Sequence, residues 1–155
     1  MEQLVEGVRL RGSLRIHLTD LSGVVLEERI INNLIVTAGR AWVLGQLETV
    51  NQATAQTVSY MAIGSNTNAP TTADTALGNE VTRLNIATFV TGGLTNNPPS
   101  WQAQVSFATN LANTTLAECG LFNSSSVGTM LAHATFTSFV KATSNVLNIS
   151  YTISG

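Results

Sequence analysis

Four residues of this chain have side chains that often perform acid–base or nucleophilic chemistry: His17, Glu118, Cys119 and His133. The two histidines are far apart in sequence, and neither has neighbours at the spacing of a metal site. Glu118 and Cys119 lie in an apolar segment, where a free cysteine is often only a small buried side chain. Catalytic carboxylates usually work in pairs or with a base. We therefore expect no catalytic centre, no bound metal and no cofactor.

The acidic residues of the second half instead suggest structural roles. Glu118 is the only acid after Glu80, and a lone carboxylate in an apolar strand needs a partner such as Arg83 or backbone N–H groups. We expect Asp74 and Glu80 to anchor the long 64–74 loop through backbone hydrogen bonds, and Arg83 to pair with one of these two acids.

Hydrophobic periodicity predicts the elements that must position these residues. From Val8 to Leu18, apolar and polar residues alternate strictly, which is typical of a half-buried strand. Arg9, Arg11 and Arg15 lie on its polar face, where they face Glu27 and Glu28 of the next strand. In all, about eight strands are predicted, at 8–18, 24–31, 57–63, 82–91, 101–107, 116–122, 130–139 and 146–153.

One short helix is predicted between the second and third strands. Thr37 has the residue type of an N-cap, and apolar residues follow at helical spacing up to Leu47. Trp42 is the expected anchor of this helix into the core. Asn32-Asn33 is expected to end the preceding strand.

These elements predict a mainly all-β fold. Turn signals recur at the short intervals of a sandwich, which favours a jelly-roll-like antiparallel β-sandwich with one short helix. Residues 8–155 are expected to form one domain, since the length is typical of one. Residues 1–7 are expected to form an N-terminal arm that becomes ordered on a neighbouring molecule.

The composition is unusual for a free soluble protein. Only 10% of the residues are charged, against about 25% in typical proteins. Thr, Asn and Ser make up roughly a third of the chain, well above their usual share. After Arg83 only Glu118 and Lys141 carry charge. Because neutral polar groups cost less to desolvate than charges, this surface suits coverage by partner molecules.

The same features argue against several classes of protein. A net charge of −2 disfavours nucleic-acid binding, which needs a basic face. No apolar run is long enough for a transmembrane helix, and the first residues do not resemble a signal peptide. The single Cys119 excludes an internal disulfide. We expect synthesis in a reducing bacterial cytoplasm.

Three segments together resemble a known group of proteins. They are Glu27–Arg40, with Asn-Leu-Ile-Val-Thr-Ala-Gly at its centre; Tyr60–Arg83, with Met-Ala-Ile-Gly and Asp-Thr-Ala-Leu-Gly-Asn-Glu; and Ala117–Ala132, with Glu-Cys-Gly-Leu-Phe-Asn and Gly-Thr-Met-Leu-Ala. As a set, spanning about residues 24 to 153, they resemble small virion proteins of tailed bacteriophages. One departure is Cys119, where alanine or another small residue is expected.

The resemblance implies a structural subunit of the virion that is not an enzyme. The leading hypothesis is a capsid decoration, or cement, protein, a homotrimer that binds the major capsid protein and stabilises the head. The first alternative is a tail, baseplate or fibre-attachment component. The second is a carbohydrate-binding module for adsorption to the host, although Trp42 and Trp101 fall on predicted buried faces.

Overall fold

The structure is a computed structural model that describes residues 9–46, 57–90, 92–95 and 98–155. The expected arm at 1–7 lies outside these residues. The elements, in chain order, are β1 (Arg11–Thr19), β2 (Val25–Ile35), α1 (Thr37–Gly45), β3 (Tyr60–Gly64), β4 (Glu80–Asn85), β5 (Thr88–Val90), a short 3₁₀ helix (Gly92–Thr95), β6 (Ser100–Phe107), β7 (Thr115–Phe122), β8 (Met130–Val140) and β9 (Val146–Ser154).

The strands form one antiparallel sheet in the order β4-β3-β7-β8-β2-β1-β9-β6-β5. The sheet must be strongly curled, because its two outermost strands, β4 and β5, are consecutive in the chain. Only Ile86 and Ala87 separate them, so their ends lie within about 11 Å. A flat sheet of this many strands would hold them about 38 Å apart at the usual strand spacing.

Strand β2 changes partners along its length. From Val25 to Asn33 the strand pairs with β1, whereas only Leu34 and Ile35 pair with β8, opposite His133 and Ala132. β2 therefore belongs to both halves of the sheet, β4-β3-β7-β8 on one side and β1-β9-β6-β5 on the other.

The core lies inside the curl and draws on both halves. The alternation predicted for the first strand is confirmed, since Leu14, Ile16 and Leu18 are buried between polar neighbours. They join one apolar cluster with residues of the opposite half, among them Met61, Ile63, Leu121, Leu131 and Phe136. Helix α1 packs against β8, where the Gly39 Cα lies so close that a Cβ there would meet the Leu131 carbonyl oxygen.

The expectation of a mainly β, antiparallel protein with one short helix is confirmed. A jelly-roll sandwich is not confirmed, because the strands form a single curled sheet. The described residues form nine strands where about eight were expected, since the predicted strand at 82–91 is two strands. Ile86 interrupts it by turning into the core, and its N–H donates to the Ser59 carbonyl at 2.8 Å.

Two local boundaries also differ from the prediction. Asn32 and Asn33 do not end β2, because they pair in register with Ser13 and Gly12. The Asn33 side-chain amide donates to the Tyr151 hydroxyl at 2.7 Å, which gives this polar residue a partner inside the sheet. Thr37 is the first residue of the helix, and its N-cap is Val36, whose side chain cannot cap.

Within the described part of the chain, no helix is both long and apolar enough to cross a membrane.

Candidate functional site

Glu118 is the centre of a buried polar cluster between the sheet and the β3–β4 loop. It lies on β7 and is fully buried. One carboxylate oxygen accepts the backbone N–H groups of Asn66 at 3.2 Å and Asn79 at 2.7 Å, and the other accepts that of Gly78 at 2.9 Å. Of the two partners expected for Glu118, backbone N–H groups are therefore correct and Arg83 is not. The carboxylate holds both ends of the loop against β7.

His133 on β8 links Glu118 to Asp74. Its Nε2 lies 3.1 Å from Glu118 Oε2, and its Nδ1 lies 2.7 Å from Asp74 Oδ2. A carboxylate can only accept, so both ring nitrogens satisfy their partners when both carry a proton. His133 thus bridges two acids that are 44 positions apart in the chain.

Asp74 closes the loop on itself as well as on His133. The Thr71 backbone N–H and hydroxyl donate to its carboxylate at 2.8 and 2.6 Å. Burial alone raises the pKa of Asp74, but the hydrogen bonds from Thr71 and His133 outweigh it and hold that pKa below its ordinary value. Asp74 therefore anchors the loop, as expected.

The chemistry open to this cluster is limited by its own hydrogen bonds. Both nitrogens of His133 lie within hydrogen-bond distance of carboxylates of the cluster, and the side chain is buried. The neighbouring Cys119 thiol is buried, and burial raises its pKa far above the ordinary value, which suppresses the nucleophilic thiolate. In the described ranges no group of three or more His, Cys, Asp and Glu residues has the geometry to hold a metal ion. The arrangement works as a clamp that fixes the loop.

Arg83 is a second anchor at the same end of the sheet. Its guanidinium forms a bidentate pair with Glu80 at 2.6 and 2.9 Å. It also donates to the backbone carbonyls of Ser124 and Val127 and lies 3.7 Å from the centre of the Phe122 ring. The expectation that Arg83 pairs with Asp74 or Glu80 is met by Glu80. Arg83 thereby ties β4 to the turn between β7 and β8.

The predicted basic face of β1 divides into two parts. Arg15 and His17 approach the Glu28 carboxylate on β2, at 3.4 and 3.1 Å. Arg9 and Arg11 form no ion pair within the described residues. Together with Arg40 they line a groove of about 430 Å³. The apolar side of this groove includes Val43 and Leu44 of α1.

Trp42 and Trp101 are both half-buried against the core cluster. Trp42 is thus an anchor of α1, as expected, although its indole N–H is buried without a hydrogen-bond partner. Trp101 on β6 packs at 5.6 Å, centre to centre, against Phe89, which is 40% exposed. The two aromatic rings line a groove of about 530 Å³ together with Asn85.

Sequence reasoning missed two features of the surface and core. Lys141 is buried, and its ammonium donates to the Ala108 carbonyl and to Asn113 Oδ1, both at 2.9 Å. Burial lowers the pKa of Lys141. The other feature is an apolar hairpin whose exposed residues are Leu21, Val24, Val25, Leu26 and Ile30. The hydropathy of Val24–Leu26 was a usable signal for it, because three apolar residues in a row do not alternate.

Comparison with known proteins identifies no relative: no protein-family model, no curated protein and no solved structure matches this chain.

Proposed function

We propose that this chain is a non-enzymatic structural protein of a bacteriophage particle, acting as a capsid decoration protein that bridges capsid subunits and stabilises the head. The proposal joins the resemblance of its three sequence segments to small phage virion proteins with the character of its surface. Its partners are other copies of the chain, as a homotrimer, and the major capsid protein. It is assembled in the cytoplasm of the bacterial host and ends in the virion.

The observation that carries the proposal is the uncharged outer face of strands β9 and β6. Across β6 and β9, neutral polar residues oppose one another, with Gln102 opposite Thr152, Gln104 opposite Ser150 and Ser106 opposite Asn148. Gln102 donates to Thr152 and accepts from Gln104, which joins these side chains in a row.

Such a face is better suited to contact than to free solution. A soluble monomer normally carries many charges on its surface, whereas neutral amides and hydroxyls are cheaper to desolvate and can exchange hydrogen bonds with a partner. The apolar hairpin of β1 and β2 adds a patch of exposed apolar side chains, and such patches often mark contact surfaces. Both features support a subunit that is covered in its working state.

The cluster of Glu118, His133 and Asp74, here called the clamp, also supports the proposal. It uses the buried Glu118 and His133 and the partly buried Asp74 to hold a surface loop. Rigid loops reduce the entropy lost when subunits associate. A jelly-roll-like description of the fold remains part of the proposal, since the two halves of the curled sheet enclose one core as the layers of a sandwich do.

The experiment is a count of copies in purified virions, by gel densitometry against the major capsid protein. A ratio near one supports a decoration protein. A count of a few to a few dozen copies per particle overturns decoration and favours the alternative of a tail, baseplate or fibre-attachment component. Absence from the particle overturns both.

One observation favours a second candidate, a carbohydrate-binding module. The groove beside Phe89 and Trp101 offers aromatic faces together with Asn85 and the hydroxyls of Thr57 and Ser59. Aromatic rings with nearby hydrogen-bonding groups are the usual elements of an orienting pocket, although this groove has no carboxylate. Screening of host-surface glycans with the native chain and with Phe89→Ala tests this: binding that the variant loses supports the module, and no binding excludes it.

A further inference from the structure

Strand β2 has an open edge along most of its length. Val25 to Asn33 pair with β1 on one side, whereas pairing with β8 on the other side is limited to Leu34 and Ile35. Within the described ranges, no strand pairs with the outer edge of Val25–Asn33. An unpaired edge presents backbone N–H and C=O groups to any strand that can lie beside it.

Several side chains along this open edge are apolar and exposed to solvent. Leu26 and Ile30 are 50% and 66% exposed. Ile30 points to the same side of the sheet as Glu28, since side chains alternate along a strand, whereas Leu26 lies at a β-bulge between Val25 and Glu27. Charged residues on an edge strand usually prevent pairing. Here the charges, Glu27, Glu28 and Arg29, occupy only the centre of the segment.

Symmetry restricts how two copies of this edge can pair. Successive residues of a strand direct their N–H and C=O groups alternately to either side. Two identical antiparallel strands related by a two-fold axis must therefore pair residues whose numbers sum to an even value. Centring the axis on Glu27 opposes Glu27 to itself and Val25 to Arg29. Centring it on Arg29 opposes Arg29 to itself and Glu27 to Ile31.

Centring the axis on Glu28 gives a complementary pairing. Glu27 then faces Arg29 of the other copy, and Leu26 faces Ile30. Opposite charges and apolar pairs across strands each stabilise a sheet, and this register places both kinds of pair twice about the axis.

We propose that two copies of this chain associate through their β2 edges, antiparallel about a two-fold axis at Glu28, to form one continuous sheet across both molecules. The contact does not depend on the proposed function. In an assembly of trimers it would link subunits of neighbouring trimers.

Two features oppose the contact: the repulsion between the two Glu28 side chains, and the ion pair that Arg29 already forms with Glu27 in its own chain. Glu28 opposes its own copy, but Arg15 and His17 already lie within 3.4 Å of its carboxylate and offset its charge. Arg29 Nη1 donates to the Glu28 backbone carbonyl at 2.9 Å and its guanidinium pairs with Glu27 at 2.6 Å. In the associated form Arg29 leaves its own chain and reaches the equivalent Glu27 of the other copy.

The register can be tested with single cysteines in the purified chain, because the native Cys119 is buried. Opposed residues of an antiparallel pair have Cα atoms about 4.5–5.5 Å apart, within the range of a disulfide. Glu28→Cys is expected to form a disulfide-linked dimer under mild oxidation. Ile30→Cys is the matched control: it is on the same face, but the register separates its two copies by about 14 Å along the strand.

We expect Glu28→Cys to cross-link on the order of tenfold faster than Ile30→Cys, because only the former lies within disulfide range. Equal rates would show random collision and overturn the proposal. Under reducing conditions, sedimentation of charge variants gives a second readout. Glu27→Arg is expected to abolish the dimer, since it opposes Arg29, and the double variant Glu27→Arg with Arg29→Glu is expected to restore it.

A native chain that sediments only as a monomer also overturns the proposal, and a double variant that fails to restore the dimer overturns the register. These results concern the purified chain alone. A virion copy number that contradicts a decoration role would leave them unchanged, so the failures of the two proposals are distinguishable.

Discussion

Glu118 Oε2 and His133 Nε2 lie 3.1 Å apart on neighbouring strands, and neither side chain is accessible to solvent. The register of β7 and β8 brings them together by opposing Gly120 to His133 and Glu118 to Thr135. A Cβ at Gly120 would meet the side chains of Leu77 and Phe122 at 3.0 and 3.1 Å, so glycine lets these groups pack closely on β7. This pair is the point at which a loop distant in sequence is attached to the sheet.

Replacing Glu118 tests the importance of the clamp. Glu118→Gln removes a charge that accepts three backbone N–H groups, so we expect the free energy of unfolding to fall by about 3 kcal/mol. Chemical denaturation measures this value, and faster hydrogen exchange at residues 66, 78 and 79 locates the loss. The matched control is Glu27→Gln, whose half-exposed ion pair is worth less than about 1 kcal/mol. Equal losses in the two variants would contradict the clamp.

The clamp also predicts a loss of stability in acid. The hydrogen bonds to Asp74 hold its pKa below the ordinary 3.8, so its stabilising contribution is complete above that pH and is lost as pH falls through the lower folded-state value. We expect the free energy of unfolding to decrease with falling pH in this range, and Asp74→Asn to make the decrease shallower. Thr71→Val removes the hydroxyl that donates to Asp74. We expect the pH dependence of its unfolding free energy to lie between those of the native chain and of Asp74→Asn. An unchanged slope in Asp74→Asn would refute this.

Alkali should destabilise the protein for the converse reason. Burial raises the pKa of the Cys119 thiol above its ordinary 9.0 and that of the Tyr151 hydroxyl well above 10.0. Both groups ionise more easily when unfolded, so the stability that they confer is present at neutral pH and is lost as pH rises past these ordinary values. Cys119→Ala is expected to reduce the loss that begins near pH 9. Unfolding free energies measured from neutral pH upward would show no such reduction if the thiol were accessible in the native state.

The packing of helix α1 on β8 depends on the absence of a side chain at Gly39. In Gly39→Ala the new Cβ would meet the Leu131 backbone, so we expect a loss of about 1–3 kcal/mol from overpacking. Gly45→Ala in the same helix is the control, because nothing lies within 4 Å of its Cβ position; we expect a gain below about 1 kcal/mol from helix propensity. Thermal unfolding distinguishes the two. A stabilised Gly39→Ala variant would show that α1 does not pack on β8 as described.

Several features of the fold could be predicted from local pattern. The alternation of Val8–Leu18 identified the buried face of β1. The turn that follows is also local, because Asp20 accepts the backbone N–H groups of Ser22 and Val24 and Gly23 has a positive φ of 88°. Such signals are reliable because the direction of a side chain depends on the backbone of its own few residues.

Other features carried no local signal. Between residues 82 and 91 there is no glycine or proline, and Asn85, at the end of β4, was by itself too weak a signal to predict the break at Ile86. Asn32 and Asn33 look like a strand end, but Tyr151 supplies a hydrogen bond that only the folded sheet provides. The open edge of β2 likewise depends on where β8 diverges from it.

The candidate site shows the same division. The sequence by itself determined that Asp74, Glu118 and His133 are isolated polar residues in weakly charged surroundings and that lone buried charges need partners. Only the tertiary structure decided that they are one another's partners, because the pairing of β7 with β8 and the path of the β3–β4 loop bring them together. Alternation is encoded residue by residue, whereas contact between distant segments depends on which strands share an edge, and that is a property of the whole chain.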